Sequence, residues 1–504
     1  MVPPYLRNPP AVVPIDVGRQ LFVDDFLIAD TSLQRTWHRA EYHQVNPVLR
    51  PEMRWEHEDP ANERRGLKPN PAAMVFSDGV FFDPRDRLFK MWYMGGYGVY
   101  TCLATSTDGV NWIRPSLDVV KGTNIVHAET RDSSTVWIDP ADPDPRRRYK
   151  MSIWWDGSLM LFVSSDGVHW TSLGKAGAAF DRSTFFYNPF RKVWAFSLRG
   201  TAYPGGGVNS RYRMYWESPE FSARGAWPGY APVAWIRADR NDPPRAGMTD
   251  LSELYNLDCA GYESLMIGLF SIWRGENDTR EKVNDLTVGF SRDGFHWTRD
   301  DRSPFISVND SPGSWNWANI QSAGGCCVTV GDRLHFYFSA RQGEPGTNNP
   351  GVCSTGLATL RRDGFASMDW RRDDRRPRVV PQNGLSGGYL STRPVTFTGA
   401  HLFVNADLGG ELRLEVLDAD GGAVPPFTRE NCVAVRGNQT RAQVSWTGGA
   451  LKDLAGQRVR FRFWIDEGRL YSFWVSPWPT GESRGATAAG GPEFSGIFDE
   501  RRSG

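Results

Sequence analysis

The sequence predicts an all-β protein, a five-bladed β-propeller followed by a C-terminal β-sandwich, and three observations carry the prediction. First, the turn signature Ser-x-Asp-Gly-x-x-Trp occurs at Ser106 to Trp112, Ser164 to Trp170 and Ser291 to Trp297. A weaker copy, Arg362-Asp363-Gly364, leads to Trp370, and a decayed one, Glu217-Ser218-Pro219-Glu220-Phe221, leads to Trp227. Second, these five tryptophans recur at intervals of roughly 60–70 residues, the period of stacked four-stranded meanders. Third, after Pro381 the pattern becomes strict alternation, as in Glu411 to Val416 and Arg458 to Ile465, which marks antiparallel strands buried on one face.

The unit is complete in residues 131–170. Ser134 to Ile138 is apolar and β-branched, Asp139-Pro140 turns the chain, Tyr149 to Trp154 returns, and Leu159 to Val163 makes a third pass into the Ser164 box. Such a meander cannot bury both faces alone and needs neighbours of its own kind. In the box, Ser and Asp side chains bond turn amides, Gly accepts positive φ, and Trp fills the gap between blades, so the box is scaffold.

Taken in order, residues 1–19 read as a Pro-rich N-terminal arm. Residues 20–380 read as the propeller. Gln20 to Ile28 is a strand that closes or packs on the ring, and the polar stretch from Trp55 to Asn70 is a wall of the central cleft. Blade 1 starts at Met74, blade 2 is the unit above, blade 3 starts at Asp181, blade 4 near Glu253, and blade 5 runs from Asn319 to Trp370. Residues 381–478 form the sandwich, and residues 479–504, small and rich in Gly and Ala, are expected to be a flexible tail.

Composition limits the partners. The 58 basic and 58 acidic residues cancel, so neither nucleic acid nor an anionic membrane is favoured. No apolar run reaches the ~20 residues of a membrane span, and the start has no charged-then-apolar leader. Six cysteines without CxxC spacing read as reduced core thiols, which points to the cytoplasm, or to secretion if a leader has been trimmed. His57, His127, His169 and His296 are scattered, so neither metal nor cofactor is expected. Gly205-Gly206-Gly207 has no following Lys and is a loop, not a phosphate cradle. Oligomeric state is not legible.

The 21 Trp exceed what the boxes use, and flat aromatic faces suit sugar rings. In a propeller, the start of each inner strand and the end of the second strand share one face. Aligning blades on their Asp-Pro or Asn-Pro turns matches Asp132-Ser133-Ser134-Thr135 with Asp181-Arg182-Ser183-Thr184 without gaps. Asp132 and Asp181 then lie at the mouth of adjacent blades. Asp78 falls two residues deeper in blade 1, Glu253 lies near the mouth of blade 4, Asp258 lies mid-strand, and Glu263 lies at the far-end turn. Asp78, Asp132, Asp181 and Glu253 are the candidate catalytic acids; Trp92, Trp155, Arg182, Arg199 and Arg274 are the candidate substrate-binding residues. Convergent carboxylates among Trp and Arg are what glycoside cleavage uses, one ionised as nucleophile or base and one protonated as acid.

The chain resembles the five-bladed propeller glycoside hydrolases, the superfamily of families 32 and 43. Arg131-Asp132 is similar to the Arg-Asp-Pro of the fructanases, with Ser133 in place of Pro. Phe76-Ser77-Asp78-Gly79-Val80 resembles their nucleophile stretch in its Asp and Gly alone, and no Glu-Cys motif occurs in blade 3. Lys90-Met91-Trp92-Tyr93 and the Asp-Gly-x-x-Trp boxes are similar to bacterial family-32-like propeller proteins. The resemblance implies a glycoside hydrolase acting on a furanoside or related glycan end, with Asp78 and Asp132 as nucleophile or base and stabiliser and Glu253 or Asp181 as acid. Glycoside phosphorolysis with arginine-held phosphate, or a non-catalytic carbohydrate-binding propeller, are the alternatives.

Overall fold

In the computed structural model, which describes residues 2–202, 209–249, 251–371 and 387–501, five antiparallel sheets surround one axis. Blade 1 is Ala73–Asp83, Leu88–Gly95, Tyr100–Ser106 and Ile125–His127; blade 2 is Ser134–Ile138, Tyr149–Trp155, Ser158–Ser164 and Thr171–Ala178. Blade 3 is Thr184–Asn188, Val193–Ala202, Asn209–Ser218 and Val233–Ile236. Blade 4 has Glu253–Glu263, Leu265–Trp273 and Asn284–Ser291, with Thr298 and Ile306 bridged to its outer edge. Blade 5 has Asn319–Ser322, Arg333–Arg341 and Cys353–Arg361. Its outer strand comes from the other end of the chain: Glu41–Tyr42 pairs with Thr359 and Ala358. The inner strand of blade 1 touches those of blades 2 and 5, so the circle is closed. Because each sheet is covered on both faces by neighbours, its inner and second strands are buried with little alternation. All eleven residues of Ala73–Asp83 and all nine of Leu265–Trp273 are buried.

The boxes fold as their chemistry requires. Ser106 Oγ accepts from Gly109 N–H (2.9 Å), and Asp108 Oδ1 accepts from the Val110 and Asn111 amides (2.8 Å each). The Ser164 and Ser291 boxes repeat these bonds. A box also docks on the second strand of the preceding blade. Tyr337 of blade 5 donates to Gly109 O (2.6 Å), and Trp92 Nε1 of blade 1 donates to Gly167 O (2.9 Å). Gly167 has φ +80°, and a Cβ there would stand 2.7 Å from the Trp92 ring, so close approach and backbone geometry both demand glycine.

The sandwich is organised by one long strand, His401–Leu417. Its first half pairs with Gly468–Ser476 and its second half with Arg460–Ile465, the register breaking around Gly409-Gly410, so it contributes to both layers. Phe461, Phe463 and Ile465 are buried while Arg460, Arg462 and Trp464 are half-buried, and Phe463 meets Phe473 of the other layer at 5.1 Å between ring centres.

Several expected boundaries move. Gln20–Leu21, Ile28–Thr31 and Gln34–Trp37, read as part of the propeller, pair with sandwich strands, and so does Ala366–Trp370, read as the end of blade 5. Short alternating segments show which face is buried but not which sheet they join. The boundary placed at 380/381 and the Gly205-Gly206-Gly207 loop lie outside the described residues. The tail expected to be flexible is packed instead: Ser483, Ala486, Thr487, Ala489, Phe494 and Asp499 are buried. Thr487 pairs with Tyr262, and the carbonyls of Ala489 and Gly490 accept from Phe82 and Thr329. Its small residues serve that approach, since a Cβ on Gly491 would lie 2.1 Å from Thr329 O.

Propeller and sandwich meet at a buried polar knot. Arg19, fully buried, donates to Asp363 (3.1 Å) and lies over Trp474 at 3.9 Å. Glu263 accepts from Arg362 (3.1 Å), Ser483 (2.6 Å) and the Arg19 amide (3.1 Å). Burial pushes the Glu263 carboxyl up, against the charges of Arg362 and Arg19. Its place at the far end of the propeller agrees with the sequence alignment. Among the described residues no helix is long and apolar enough to cross a membrane, and all six cysteines are buried free thiols.

Candidate active site at the propeller mouth

The ladder registers bring one end of every blade to a common opening. Ser134 pairs with Ile153, Thr184 with Ser197, Glu253 with Trp273, and Asn319 with Arg341. Asp132, Asp181 and Glu253 therefore stand at or just before the starts of inner strands, Trp155, Arg274 and Arg341 at or just beyond the ends of second strands, and Arg199 two residues past the last paired residue of the blade 3 inner ladder.

Asp132 is half-buried, and its Oδ1 is a buried atom with no hydrogen-bond partner among the described residues. It also makes no ion pair there. Asp181 differs, since Arg199 Nη1 is bound to its carboxylate. Glu253 accepts from Arg211 Nη1 (2.5 Å). Burial and then the like charge of Arg211 lower the Arg199 pKa, while Tyr255, Glu253 and Asp132 act the other way, so these groups share one field.

Asp78 is not available to a ligand in this conformation. It has no exposed surface, and both oxygens accept from Arg131, at 2.6 and 3.0 Å. The cause is a register shift between Met74 and Gly79, with Ser77 at φ +64°, that turns this stretch of the inner strand into the ring. Arg131 in turn donates from Nε to the Asp132 carbonyl (2.8 Å) and from Nη1 to Thr101 Oγ1 (3.1 Å). The Asp78–Arg131 pair thus holds the segment that carries Asp132.

Arginines and aromatics form the floor. Arg182, 1 % exposed and at φ +58°, lies 3.8 Å over Phe76 and donates to Ser77 Oγ (2.9 Å). Arg211 lies over Tyr255 and Trp273, and Arg341 over Phe76 and Tyr97, all at 5.3–5.5 Å. Arg341 pairs with Glu281 (2.7 Å). Beneath them Asp258 accepts from Ser322 (2.6 Å), Asn256 (2.9 Å) and Ser77 (3.3 Å), and burial pushes its carboxyl up against the opposing Ser322 bond. Arg274, nearly buried, donates to the Pro243 carbonyl (2.9 Å) and lies 3.7 Å from Asp285, so it braces the rim. Trp92 does not face the mouth: it is fully buried between blades 1 and 2, bonded to Gly167. Trp155 is 49 % exposed.

Spacing along the first two strands of each blade does not reach Arg211, on the third strand, or Glu281, in the connection after Trp273, and a search for acids and arginines passes over Tyr255, two residues into the blade 4 inner strand. The signal was the start of the third strand, which returns to the same end as the finish of the second. The 50–72 stretch spans the mouth from blade 1 to blade 5. Glu56 accepts from Tyr93 (2.6 Å) and Arg114 (2.8 Å), and Asn70 accepts from the Gly351 amide (3.1 Å). Among the described residues no three His, Cys, Asp or Glu side chains gather as a metal-ligand set.

No protein-family profile and no curated protein matches the chain. Solved structures do resemble it. An N-acetylgalactosamine deacetylase from F. plautii, in complex with blood group B trisaccharide, is 15 % identical, over 65 % of this chain and 96 % of that one, with a TM-score of 0.43. A thermostable family-43 glycoside hydrolase is 10 % identical over 61 % and 98 %, TM-score 0.41. A fructofuranosidase from Schwanniomyces occidentalis is 12 % identical over 80 % and 94 %, TM-score 0.35.

Proposed function

We propose that this protein hydrolyses glycosidic bonds at the propeller mouth, acting on the end of a furanoside or related glycan. The observation that supports this reading is Asp132: a half-buried carboxylate with an unpartnered oxygen and no ion pair among the described residues, set among arginines and aromatic rings. Asp132 is the ionised group that attacks the anomeric carbon or takes a proton from water, and Glu253 is the acid that protonates the leaving oxygen. On this reading substrate binding displaces Arg211 from Glu253, whose carboxylate takes a proton from solvent and passes it to the leaving oxygen. Asp181 and Arg199 hold sugar hydroxyls.

A second reading, phosphorolysis, is favoured by one observation. Asp78, Asp181 and Glu253 each pair with an arginine, which leaves Asp132 as the one of the four candidate acids without an ion pair among the described residues. Phosphate is its own nucleophile and needs a single acid, and Arg199 and Arg211 match its charge.

The test is a screen of the purified protein against chromogenic furanosides and pyranosides and against fructan and arabinan oligosaccharides, with and without phosphate, beside Asp132→Asn. Sugar release that needs no phosphate and is lost in the variant supports hydrolysis. Phosphate-dependent release moves the assignment to phosphorolysis, and binding without turnover in both proteins removes the enzyme.

A further inference from the structure

We infer that Trp155 and Phe180 form an outer stacking platform on the rim, so that the ligand is an oligosaccharide with one ring at Asp132 and the next over these two side chains. The inference rests on the reading above in taking the ligand to be a glycan and in placing one of its rings at Asp132.

Exposure first separates these residues from the other aromatics. Of the 21 Trp, Trp155 alone is exposed, at 49 %, the rest being buried or half-buried. Phe180 is 51 % exposed. A single exposed ring needs no explanation, but these two stand at one end of one blade, beside the unpaired acid. The Asp132 amide donates to Trp154 O (3.3 Å) and the Trp154 amide to Ser133 O (2.9 Å), which sets Trp155 across the ladder from Asp132. On the other side Ala179 N–H donates to Gly157 O (3.0 Å), which sets Phe180 beside the Trp155–Ser158 turn and directly before Asp181.

The platform is also held rigidly. Trp154 Nε1 donates to Ala179 O (2.8 Å), Trp227 Nε1 to Ala178 O (2.9 Å), and Ser183 Oγ to Phe180 O (2.7 Å). Three side chains therefore pin the three residues that end at Phe180, so stacking costs little backbone ordering. Apolar ring faces flanked by Asp132 on one side and the Asp181–Arg199 pair on the other match a sugar, whose C–H face is apolar and whose edge carries hydroxyls.

The experiment uses Asp132→Asn, so that binding is read without turnover, and follows tryptophan emission on titration with mono- to tetrasaccharides of the fructo-, arabino-, xylo- and manno-series. In at least one series the emission shifts saturably to the blue, with a tetrasaccharide binding at least tenfold tighter than the monosaccharide. Adding Trp155→Ala or Phe180→Ala weakens tetrasaccharide binding about three- to tenfold, the size of one stacking contact, Trp155→Phe restores most of it, and the melting temperature is unchanged. Equal affinity for mono- and tetrasaccharide, unchanged binding in both alanine variants, or no saturable binding in any series overturns the inference. Trp155-dependent binding with no turnover by the unsubstituted protein leaves the platform standing and removes the hydrolase.

Discussion

Replacing Asp78 by Asn tests whether this acid is structural or catalytic. The substitution keeps the shape and deletes the charge that both Arg131 nitrogens meet at 2.6 and 3.0 Å. Arg131 is 1 % exposed, so its guanidinium keeps the Thr101 hydroxyl, the Asp132 carbonyl and one amide oxygen as acceptors but has no anion to balance its buried charge. Removing one partner of a buried pair costs about 3–5 kcal/mol, whereas exchanging both for apolar groups, as in Asp78→Leu with Arg131→Met, is near neutral by the same principle. Urea unfolding followed by tryptophan emission reads both, with the midpoint falling in Asp78→Asn at unchanged slope and recovering in the double variant. Asp132→Asn, which breaks no ion pair, stays within about 1 kcal/mol of the parent. An Asp78→Asn protein of full stability and no turnover would refute the structural role and return Asp78 to the reacting set.

Three further outcomes follow from the same geometry. Asp132→Asn lowers turnover by a factor of about 10² or more, measured on whichever substrate the screen identifies, with melting unchanged. Gly167→Ala destabilises by about 1–3 kcal/mol, because a Cβ would sit 2.7 Å from Trp92 at a positive φ; thermal melting reads it, and a neutral result would refute the docking of the box on the preceding blade. His335 is kept neutral by burial, then by the charges of His43 and Arg333, with its pKa lowered to about 4. Since the unfolded chain regains the ordinary value near 6.5, stability is full above pH 6.5 and is lost as pH falls towards 4. The loss is about 3 kcal/mol, and His335→Gln flattens that part of the urea-midpoint profile.

How much was legible in advance differs from residue to residue. The Ser164 box stood out because its bonds run between near neighbours, Asp166 to the Val168 and His169 amides, so the sequence alone carries the reason for the turn. The mouth set of Asp132, Asp181, Glu253, Arg199 and Trp155 was legible because ladder register copies sequence spacing into position. Asp78 and Trp92 were placed by the same spacing, yet a bulge turned one inward and a neighbouring blade covered the other. Trp92 is bonded to a residue 75 positions away, and no local pattern encodes that distance.

By itself the sequence determined the all-β class, the five repeats, the turn chemistry and the end of each blade at which acids and arginines collect, since all of these depend on contacts within one meander. Only the tertiary structure decided which acid is free and which is locked, that Glu41–Tyr42 completes blade 5, and that residues 480–501 are part of the body. The physical reason is that charge pairing and burial are set by groups brought together from distant blades, as Asp78 is with Arg131 and Glu263 with Arg362. An ionisable group acquires its role from those neighbours and not from the residues beside it in the chain.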